Sequence, residues 1–426
     1  MKIIENAIKL MKKGYVCDNC LGRAFGNLLS GYSNKERGKT IRNLIAMLID
    51  SGEKIEVDIS NFFGIKFRNV KINPEKKSCY FCNDFFENKI LEISNRVLEK
   101  LKDYEFDTFL IGTKLSSDLM KKEEEMIEEI GIEFYESLKS EINREIGKIV
   151  EKETGKKMNR EKPDITVIVD LENGTISLNV RSLFIYGEYQ KLSRKIPQAT
   201  WYCPYCKGKG CEKCKGTGLL YPSSVQMIIE RPLLKATKGK KSKIHAEGRE
   251  DIDARCLAWR PFVIEIVKPK IRKIDLKKAE MEINKSKKVK VRKLRFVEDG
   301  KQLIRKIKSS RNEKTYLAIV EFEDKIDKGK LKELKKLNNA IIFQKTPLRV
   351  LARRSDKERK RKVIRISYRL INDKTLELKI RASAGLYIKE LITGDNGRTK
   401  PNISEILNNK PKKILLDVIK IHGVMK

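Results

Sequence analysis

Eight of the nine cysteines in this 426-residue chain form four C-x-x-C pairs. Two such pairs complete a tetrahedral metal site, because each tight turn directs two thiolates at one ion. The chain has only two histidines, so all-thiolate sites are expected. The pattern predicts two structural zinc sites, with a redox C-x-x-C pair as the alternative. The predicted ligands are Cys17, Cys20, Cys79, Cys82, Cys203, Cys206, Cys211 and Cys214.

The two predicted zinc sites differ in how much chain they enclose. The first combines two distant pairs and is expected to hold together an N-terminal subdomain over residues 1–90. A helix is predicted between those pairs, over residues 36–50. The second array, over residues 203–214, has the compact spacing C-x2-C-x4-C-x2-C with interspersed glycines, which is typical of a zinc knuckle.

The charge balance points to a polyanionic partner. Lys and Arg number 94 against 58 Asp and Glu, which gives a formal net charge of +36. Adaptation to heat would enrich charges of both signs, so it does not account for the imbalance. Nucleic acid is the partner this favours. The apolar runs are too short to cross a membrane, and the N-terminus lacks a signal-peptide pattern, so a cytoplasmic protein without membrane contact is expected.

Apolar periodicity divides the remaining chain into two further regions. Residues 90–155 have helical spacing, and a β hairpin is predicted over residues 164–180, with basic Lys191 and Arg194 just beyond. We interpret residues 91–198 as a small α/β RNA-binding module. Strand patterns dominate from residue 223, so residues 199–426 are predicted to form a mixed α/β domain that begins with the knuckle. No P-loop or Rossmann fingerprint occurs, so chemistry driven by ATP or NAD is not indicated.

A short turn carries the strongest catalytic signal. In Gly248-Arg249-Glu250-Asp251 a guanidinium lies two positions before a carboxylate, and this pairing keeps an aspartate ionised under a bound substrate. In so basic a chain, an activated aspartate suggests chemistry on a polyanion. Asp253 lies on the same turn and is the rival candidate. A surface turn with a structural ion pair is the other interpretation.

The same turn resembles the Gly-Arg-x-Asp turn of pseudouridine synthases. Its continuation through Arg255 and Arg260-Pro261-Phe262 is similar to the pseudouridine synthase 10 family, as are residues 17–23, 182–189 and 196–198. The resemblance covers nearly the whole chain, although Ala258-Trp259 replaces an expected Gly-rich link. It implies a pseudouridine synthase catalytic fold with a mixed, antiparallel-rich sheet. It also implies a zinc-bearing N-terminal accessory domain with a THUMP-like module.

The resemblance also implies a function and residue roles. The expected activity is isomerisation of uridine 54, uridine 55 or both in the T loop of tRNA, by a monomer without an organic cofactor. The competing function is that of a non-catalytic, zinc-containing tRNA-binding or chaperone protein. Tyr316, Ile388 and Leu416 also fit plain packing roles. The implied catalytic residues are Asp251, Arg249 and Tyr316, and the implied substrate-binding residues are Tyr316, Ile388, Lys389, Leu416, Arg353 and Arg354.

Overall fold

The computed structural model describes residues 2–423, except for the side chain of Arg353. The chain divides into two compact units, with the boundary between Arg181 and Ser182. Each unit has its own apolar core. The division predicted from sequence, with boundaries at residues 90 and 198, stays a prediction. Within the described range, no helix has both the length and the apolar character needed to span a membrane.

The first unit combines helices with a small four-stranded sheet in the order β2-β1-β3-β4, in which β1 is parallel to both neighbours and β3 and β4 are antiparallel. A short 3-10 helix covers Ile59–Phe62. The elements are α1 Lys2–Lys12, α2 Asp18–Arg23, α3 Asn34–Asp50, α4 Phe85–Asn88, α5 Ile90–Leu101, β1 Thr108–Lys114, α6 Ser117–Ile130, α7 Leu138–Thr154, β2 Lys157–Met158, β3 Ile165–Asp170 and β4 Thr175–Val180.

Sequence periodicity was wrong for one element of this unit. Residues 90–155 were expected to be helical, but β1 lies in the middle of that range. Phe109 and Ile111 alternate with less buried residues and pack into the core, while the β1 backbone pairs with β3 over six residues. Alternation over so short a run is easily absorbed into neighbouring helical patterns. The predicted hairpin of β3 and β4 is confirmed.

The second unit is built on a ten-stranded sheet. Nine strands follow the order β13-β10-β11-β12-β9-β14-β7-β5-β8, and β6 also pairs with β7. Three 3-10 helices cover Glu212–Cys214, Lys330–Leu337 and Leu348–Arg353. The elements are β5 Leu183–Lys191, α8 Val225–Thr237, β6 Lys241–Ala246, β7 Arg255–Val267, α9 Leu276–Asn284, β8 Val289–Phe296, α10 Gly300–Ser309, β9 Lys314–Phe322, β10 Ile341–Gln344, β11 Arg359–Asn372, β12 Thr375–Ala382, α11 Ile388–Thr393, β13 Thr399–Lys400, α12 Ile403–Leu407 and β14 Pro411–Ile421.

The centre of this sheet brings together the segments that carry the predicted site. The Gly-Arg-x-Asp turn connects β6 to β7, and β14 lies between β7 and β9. β14 is parallel to β7 and antiparallel to β9, so Val418 lies opposite Tyr316. The mixed α/β class and the antiparallel-rich sheet predicted from sequence are confirmed.

Candidate active site and metal centres

The turn that carries Asp251 is fixed by bonds to its backbone. Gly248 has φ +70°, a left-handed conformation that glycine adopts without strain. Gln198 donates its side-chain amide to the Gly248 carbonyl at 3.0 Å. The buried Lys191 ammonium donates to the carbonyls of Asp251 at 2.8 Å and Ile252 at 3.0 Å. These side chains therefore hold the turn through its backbone carbonyls, while the Asp251 carboxylate remains partly exposed.

Arg194 connects the same turn to the C-terminal strand. Its guanidinium donates to the carbonyls of Asp253 at 3.2 Å and Leu416 at 2.7 Å, and it lies 2.6 Å from the Asp417 carboxylate. Lys191 and Arg194 were interpreted from sequence as part of an RNA-binding module. In the structure both contact the turn, and Lys191 is wholly buried, while the RNA-binding role of the module stays a prediction.

The cation next to Asp251 is Arg349. Its Nη1 donates to Asp251 Oδ1 at 2.9 Å, and its Nε donates to Oε1 of the buried Glu390 at 2.6 Å. Arg249, which was expected to orient Asp251, is exposed and makes no hydrogen bond or ion pair with any described residue. Arg249 nevertheless lines the same cavity as Asp251.

The two aspartates of the turn have different surroundings. Asp251 lines the cavity, whereas Asp253 does not and its side chain is 61% exposed. Lys389 donates to both carboxylate oxygens of Asp253, at 2.6 and 2.7 Å, and lies 3.9 Å from Asp251 Oδ2. Partial burial raises the pKa of Asp253, but the hydrogen bond and charge of Lys389 outweigh this and leave it below its usual value. Of the two carboxylates, that of Asp251 is therefore the one that belongs to a residue lining the cavity.

A cavity of about 630 Å³ opens beside Asp251. One wall is apolar and includes Tyr316, Ile388 and Leu416, three of the residues that the resemblance implied. Burial raises the pKa of the Tyr316 phenol to about 12, although Arg260 acts in the opposite direction. Tyr316 is therefore neutral near pH 7. The combination of an apolar wall and an acid at its edge suits a flat, uncharged ring.

Glu250, the unspecified residue of the Gly-Arg-x-Asp pattern, supports the turn from inside the fold. Its carboxylate lies 3.1 Å from the Arg260 guanidinium and accepts a hydrogen bond from the Tyr189 hydroxyl at 3.2 Å. All three side chains are buried, and a buried charge requires such partners. Sequence reasoning missed Glu250 and Glu390, because nothing in their local spacing marks them as buried acids.

Arg354 donates to the Tyr387 hydroxyl at 2.6 Å, and both residues line the cavity. The side chain of Arg353, the other predicted substrate-binding arginine, lies outside the described part of the structure. The structure therefore brings Asp251, Arg249, Tyr316, Ile388, Lys389, Leu416 and Arg354 to one cavity.

Both cysteine tetrads are assembled as the spacing predicted. In each, four sulfur atoms lie within 4.8 Å of one another. The sulfur atoms of Cys17 and Cys82 lie 3.6 Å apart in the first tetrad, and those of Cys211 and Cys214 lie 3.7 Å apart in the second. A tetrahedron with Zn–S bonds of about 2.3 Å has sulfur separations of about 3.8 Å, so both tetrads fit that ion.

Polar hydrogens directed at the sulfurs support a thiolate form. In the first tetrad, the backbone N–H of Cys17 donates to the Cys79 sulfur at 3.2 Å, and the buried Arg23 guanidinium donates to the Cys20 sulfur at 3.5 Å. In the second, Gly218 N–H donates to the Cys214 sulfur at 3.1 Å. The first tetrad is fully buried, whereas three members of the second are partly exposed.

Comparison with known proteins shows similarity over nearly the whole chain. Residues 184–422 match the family model described as Pus10, C-terminal, and residues 93–170 match the model described as Pus10 THUMP domain, archaeal. The tRNA pseudouridine synthase Pus10 of Methanocaldococcus jannaschii is 43% identical over 441 residues, which cover 99% of this chain and 95% of the relative. The protein of the same name from Methanothrix thermoacetophila is 36% identical over 432 residues, with the same two coverages.

Similarity to solved structures is much weaker. A Cbf5-Nop10-Gar1 complex chain aligns with a TM-score of 0.29 and 14% identity, covering 54% of this chain and 47% of that one. A pseudouridylate synthase aligns with a TM-score of 0.23 and 15% identity, covering 66% and 84%. At these TM-scores, neither similarity assigns a function or a site residue.

Proposed function

The chain belongs to the Pus10 family of tRNA pseudouridine synthases, and we propose that it isomerises uridine 54, uridine 55 or both in the T loop of tRNA. The observation that carries the proposal is the position of Asp251. This carboxylate lies at the edge of a cavity with an apolar wall, and Arg349 is its direct cationic partner. The two T-loop positions come from the family resemblance.

The reaction breaks the N1–C1′ bond of uridine and rejoins the base through C5. We propose that ionised Asp251 acts at the sugar, either by attacking C1′ as a nucleophile or by removing a proton from C2′. Both routes require the carboxylate to face the ribose. In the first, C5 of the rotated base displaces the carboxylate from C1′; in the second, the proton returns to C2′ as C5 bonds to C1′. Both end with loss of the C5 proton and protonation of N1. Arg349 and Lys389 stabilise the ionised carboxylate before the base leaves.

The cavity wall has the complementary task of holding the detached base. A target uridine must leave its stack to reach Asp251. Tyr316, Ile388 and Leu416 provide a surface on which the ring rotates while water is excluded. Because Tyr316 is a neutral phenol near pH 7, its role is to stack and hydrogen-bond, and any transfer of the C5 proton through it requires a further acceptor.

The two cysteine tetrads are proposed to hold structural zinc. Neither tetrad includes a residue that lines the cavity beside Asp251. Zinc held by these cysteines would supply cross-links that fix the chain around it. We further propose that the protein acts as a cytoplasmic monomer, that the T arm of tRNA is its partner, and that residues 1–90, 91–198 and 199–426 form its functional divisions.

The test is an assay for pseudouridine on an unmodified tRNA transcript, read position by position. Wild-type protein is expected to produce pseudouridine at position 54, 55 or both. Asp251→Ala is expected to lower the rate by at least about 10²-fold, the low end for a positioned acid–base group. The matched control is Asp253→Ala on the same turn, which is expected to retain activity because Asp253 does not line the cavity.

Product formed by Asp251→Ala at a rate close to wild type, or loss of activity confined to Asp253→Ala, would show that Asp251 is not the catalytic aspartate. Wild-type protein that binds tRNA and forms no pseudouridine would support the competing function of a zinc-containing tRNA-binding or chaperone protein. Product at another tRNA position would retain the activity and overturn the T-loop assignment.

A further inference from the structure

A group of cations lines the cavity wall without carboxylate partners. Lys308, Arg311, Arg359 and Arg361 all face this space. No carboxylate among the described residues lies within salt-bridge distance of any of the four. The two acids that line the cavity are already paired, Glu250 with Arg260 and Asp251 with Arg349. The positive charge on this side of the cavity is therefore uncompensated by protein groups.

The guanidinium groups repel each other. Burial lowers the pKa of Arg361, and the charges of Arg359 and Arg311 lower it further. The Nε of Arg361 is buried and has no hydrogen-bond acceptor in the described structure. A buried donor without an acceptor is rare in native proteins, and a water molecule, an ion or a ligand group can supply one. The two like charges beside this donor, Arg311 and Arg359, favour an anion as its acceptor.

The backbone opposite Arg361 leaves room for this arrangement. Gly385 has φ +84°, and a Cβ there would lie 3.1 Å from Arg361 Nε. Any side chain at this position would crowd the guanidinium. Arg311 and Arg361 also line a second, neighbouring depression of about 510 Å³, to which Lys360 and Lys362 contribute. The positive surface thus continues from the cavity of Asp251 into an adjoining groove.

We propose that Arg311, Arg359 and Arg361 form a subsite for one phosphodiester of the substrate RNA, in the same cavity as Asp251. The assignment rests on the proposed function, because it names part of the substrate of that site. Arginine suits this task because its planar fork donates two parallel hydrogen bonds to phosphate oxygens. The adjoining basic groove favours a polymer over a free anion, since consecutive phosphates follow such a track.

The experiment neutralises one phosphate at a time. Full-length tRNAs are assembled by ligation, each with a single methylphosphonate linkage in the T loop, and their affinities for wild type and Arg361→Gln are compared. Arg361→Gln is expected to lower the affinity for unmodified tRNA about tenfold. It is also expected to reduce the slope of log affinity against log salt concentration by about one. At one position, the methylphosphonate is expected to lower the affinity of the wild-type protein for tRNA by a similar factor. The same linkage is expected to lower the affinity of Arg361→Gln by less than about twofold.

Arg365→Gln is the matched control. Arg365 lies on the same strand as Arg361, is exposed and does not line the cavity, so its loss removes the same charge outside the subsite. This variant is expected to keep the wild-type response to every linkage. Arg359→Gln should repeat the Arg361→Gln pattern, and matching thermal unfolding midpoints would show that each variant is folded.

The proposed subsite would be overturned if every methylphosphonate lowered the tRNA affinity of wild type, Arg361→Gln and Arg359→Gln by the same factor. Competition by inorganic phosphate with no linkage-specific effect would also overturn it, because the cluster would then bind a free anion. Pseudouridine formation is measured separately on the same RNAs. Wild-type protein that shows the linkage-specific coupling and forms no product would refute the proposed function while leaving the phosphate subsite in place.

Discussion

Arg349 bridges Asp251 and Glu390, with Nη1 2.9 Å from Asp251 Oδ1 and Nε 2.6 Å from Glu390 Oε1. The Glu390 side chain is only 5% exposed, so it gives the arginine a fixed anchor. Arg349 belongs to the 3-10 helix Leu348–Arg353. One guanidinium therefore links the position of this segment to the orientation of the acid.

Substituting Arg349 should affect the chemical step more than RNA binding. Arg349→Ala is expected to lower the single-turnover rate by at least about tenfold, because a charge-assisted bond to Asp251 is lost. Arg349→Lys should recover little, since an ammonium cannot bridge both carboxylates in the same geometry. In contrast, Arg354→Ala, at the residue that follows this 3-10 helix, should weaken tRNA affinity and leave the rate at saturating tRNA close to wild type. Loss confined to affinity in Arg349→Ala would mean that Arg349 contacts RNA instead.

Lys191 should be required for activity although it does not line the cavity. Lys191→Met preserves much of the side-chain volume but removes the bonds to the carbonyls of Asp251 and Ile252. We expect the single-turnover rate to fall about tenfold or more, with tRNA affinity within about twofold of wild type. Lys195→Met is the control, because Lys195 is exposed and close by in sequence. Equal losses of affinity in both variants would support the RNA-binding role that the sequence suggested.

Loss of the two metal sites should have unequal effects on folding. Cys20→Ser removes a wholly buried ligand within the core of the first unit and should abolish cooperative unfolding of that unit. Cys206 belongs to the partly exposed second tetrad, so Cys206→Ser should cause a smaller shift in the thermal unfolding midpoint than Cys20→Ser. Zinc content and circular dichroism of both variants measure the difference. Identical destabilisation by the two substitutions would contradict the unequal burial of the tetrads.

Tyr316 should remain un-ionised through the ordinary working range of the enzyme. Its pKa is raised from 10.0 to about 12, chiefly by burial. A phenol with a raised pKa in the folded state contributes stability that is present below about pH 10 and is lost as pH rises through about 12. The ultraviolet difference between wild type and Tyr316→Phe should therefore show phenolate absorbance only above about pH 11. Absorbance near pH 9 would indicate a phenolate able to act as a base.

Much of the site was predictable because its chemistry is encoded locally. The Gly-Arg-x-Asp turn and the C-x-x-C pairs each have a recognisable local pattern, whereas Ile388 and Leu416 were implied only by the family resemblance. The structure brings the turn and both apolar residues to one cavity. The partner of Asp251 was not predictable from the turn. Arg349 is 98 positions away, and only the tertiary fold selects it over Arg249.

The same distinction holds for the fold. The strands of the second unit have apolar alternation long enough to be recognised, and the hairpin of β3 and β4 has its turn residues. β1 was missed for two reasons. Its pairing partners, β2 and β3, lie far away in sequence, and its short alternating pattern lies between two longer helical patterns. Lys191 looked like a surface cation because burial of a lysine depends on carbonyls that the chain supplies about sixty residues later.

The place of β14 between β7 and β9 has a consequence for how the enzyme comes into being. A nascent chain that has emerged only as far as Asn409 already contains Asp251, Tyr316, Arg349 and Lys389, yet the facing edges of β7 and β9 are still unpaired. The hydrogen bond from Arg255 to Asp417, 162 positions downstream, forms only after β14 has been synthesised and can join the two halves of the sheet. A chain at this stage of synthesis therefore contains Asp251 but lacks Leu416 and Val418, which line the cavity beside it in the complete fold.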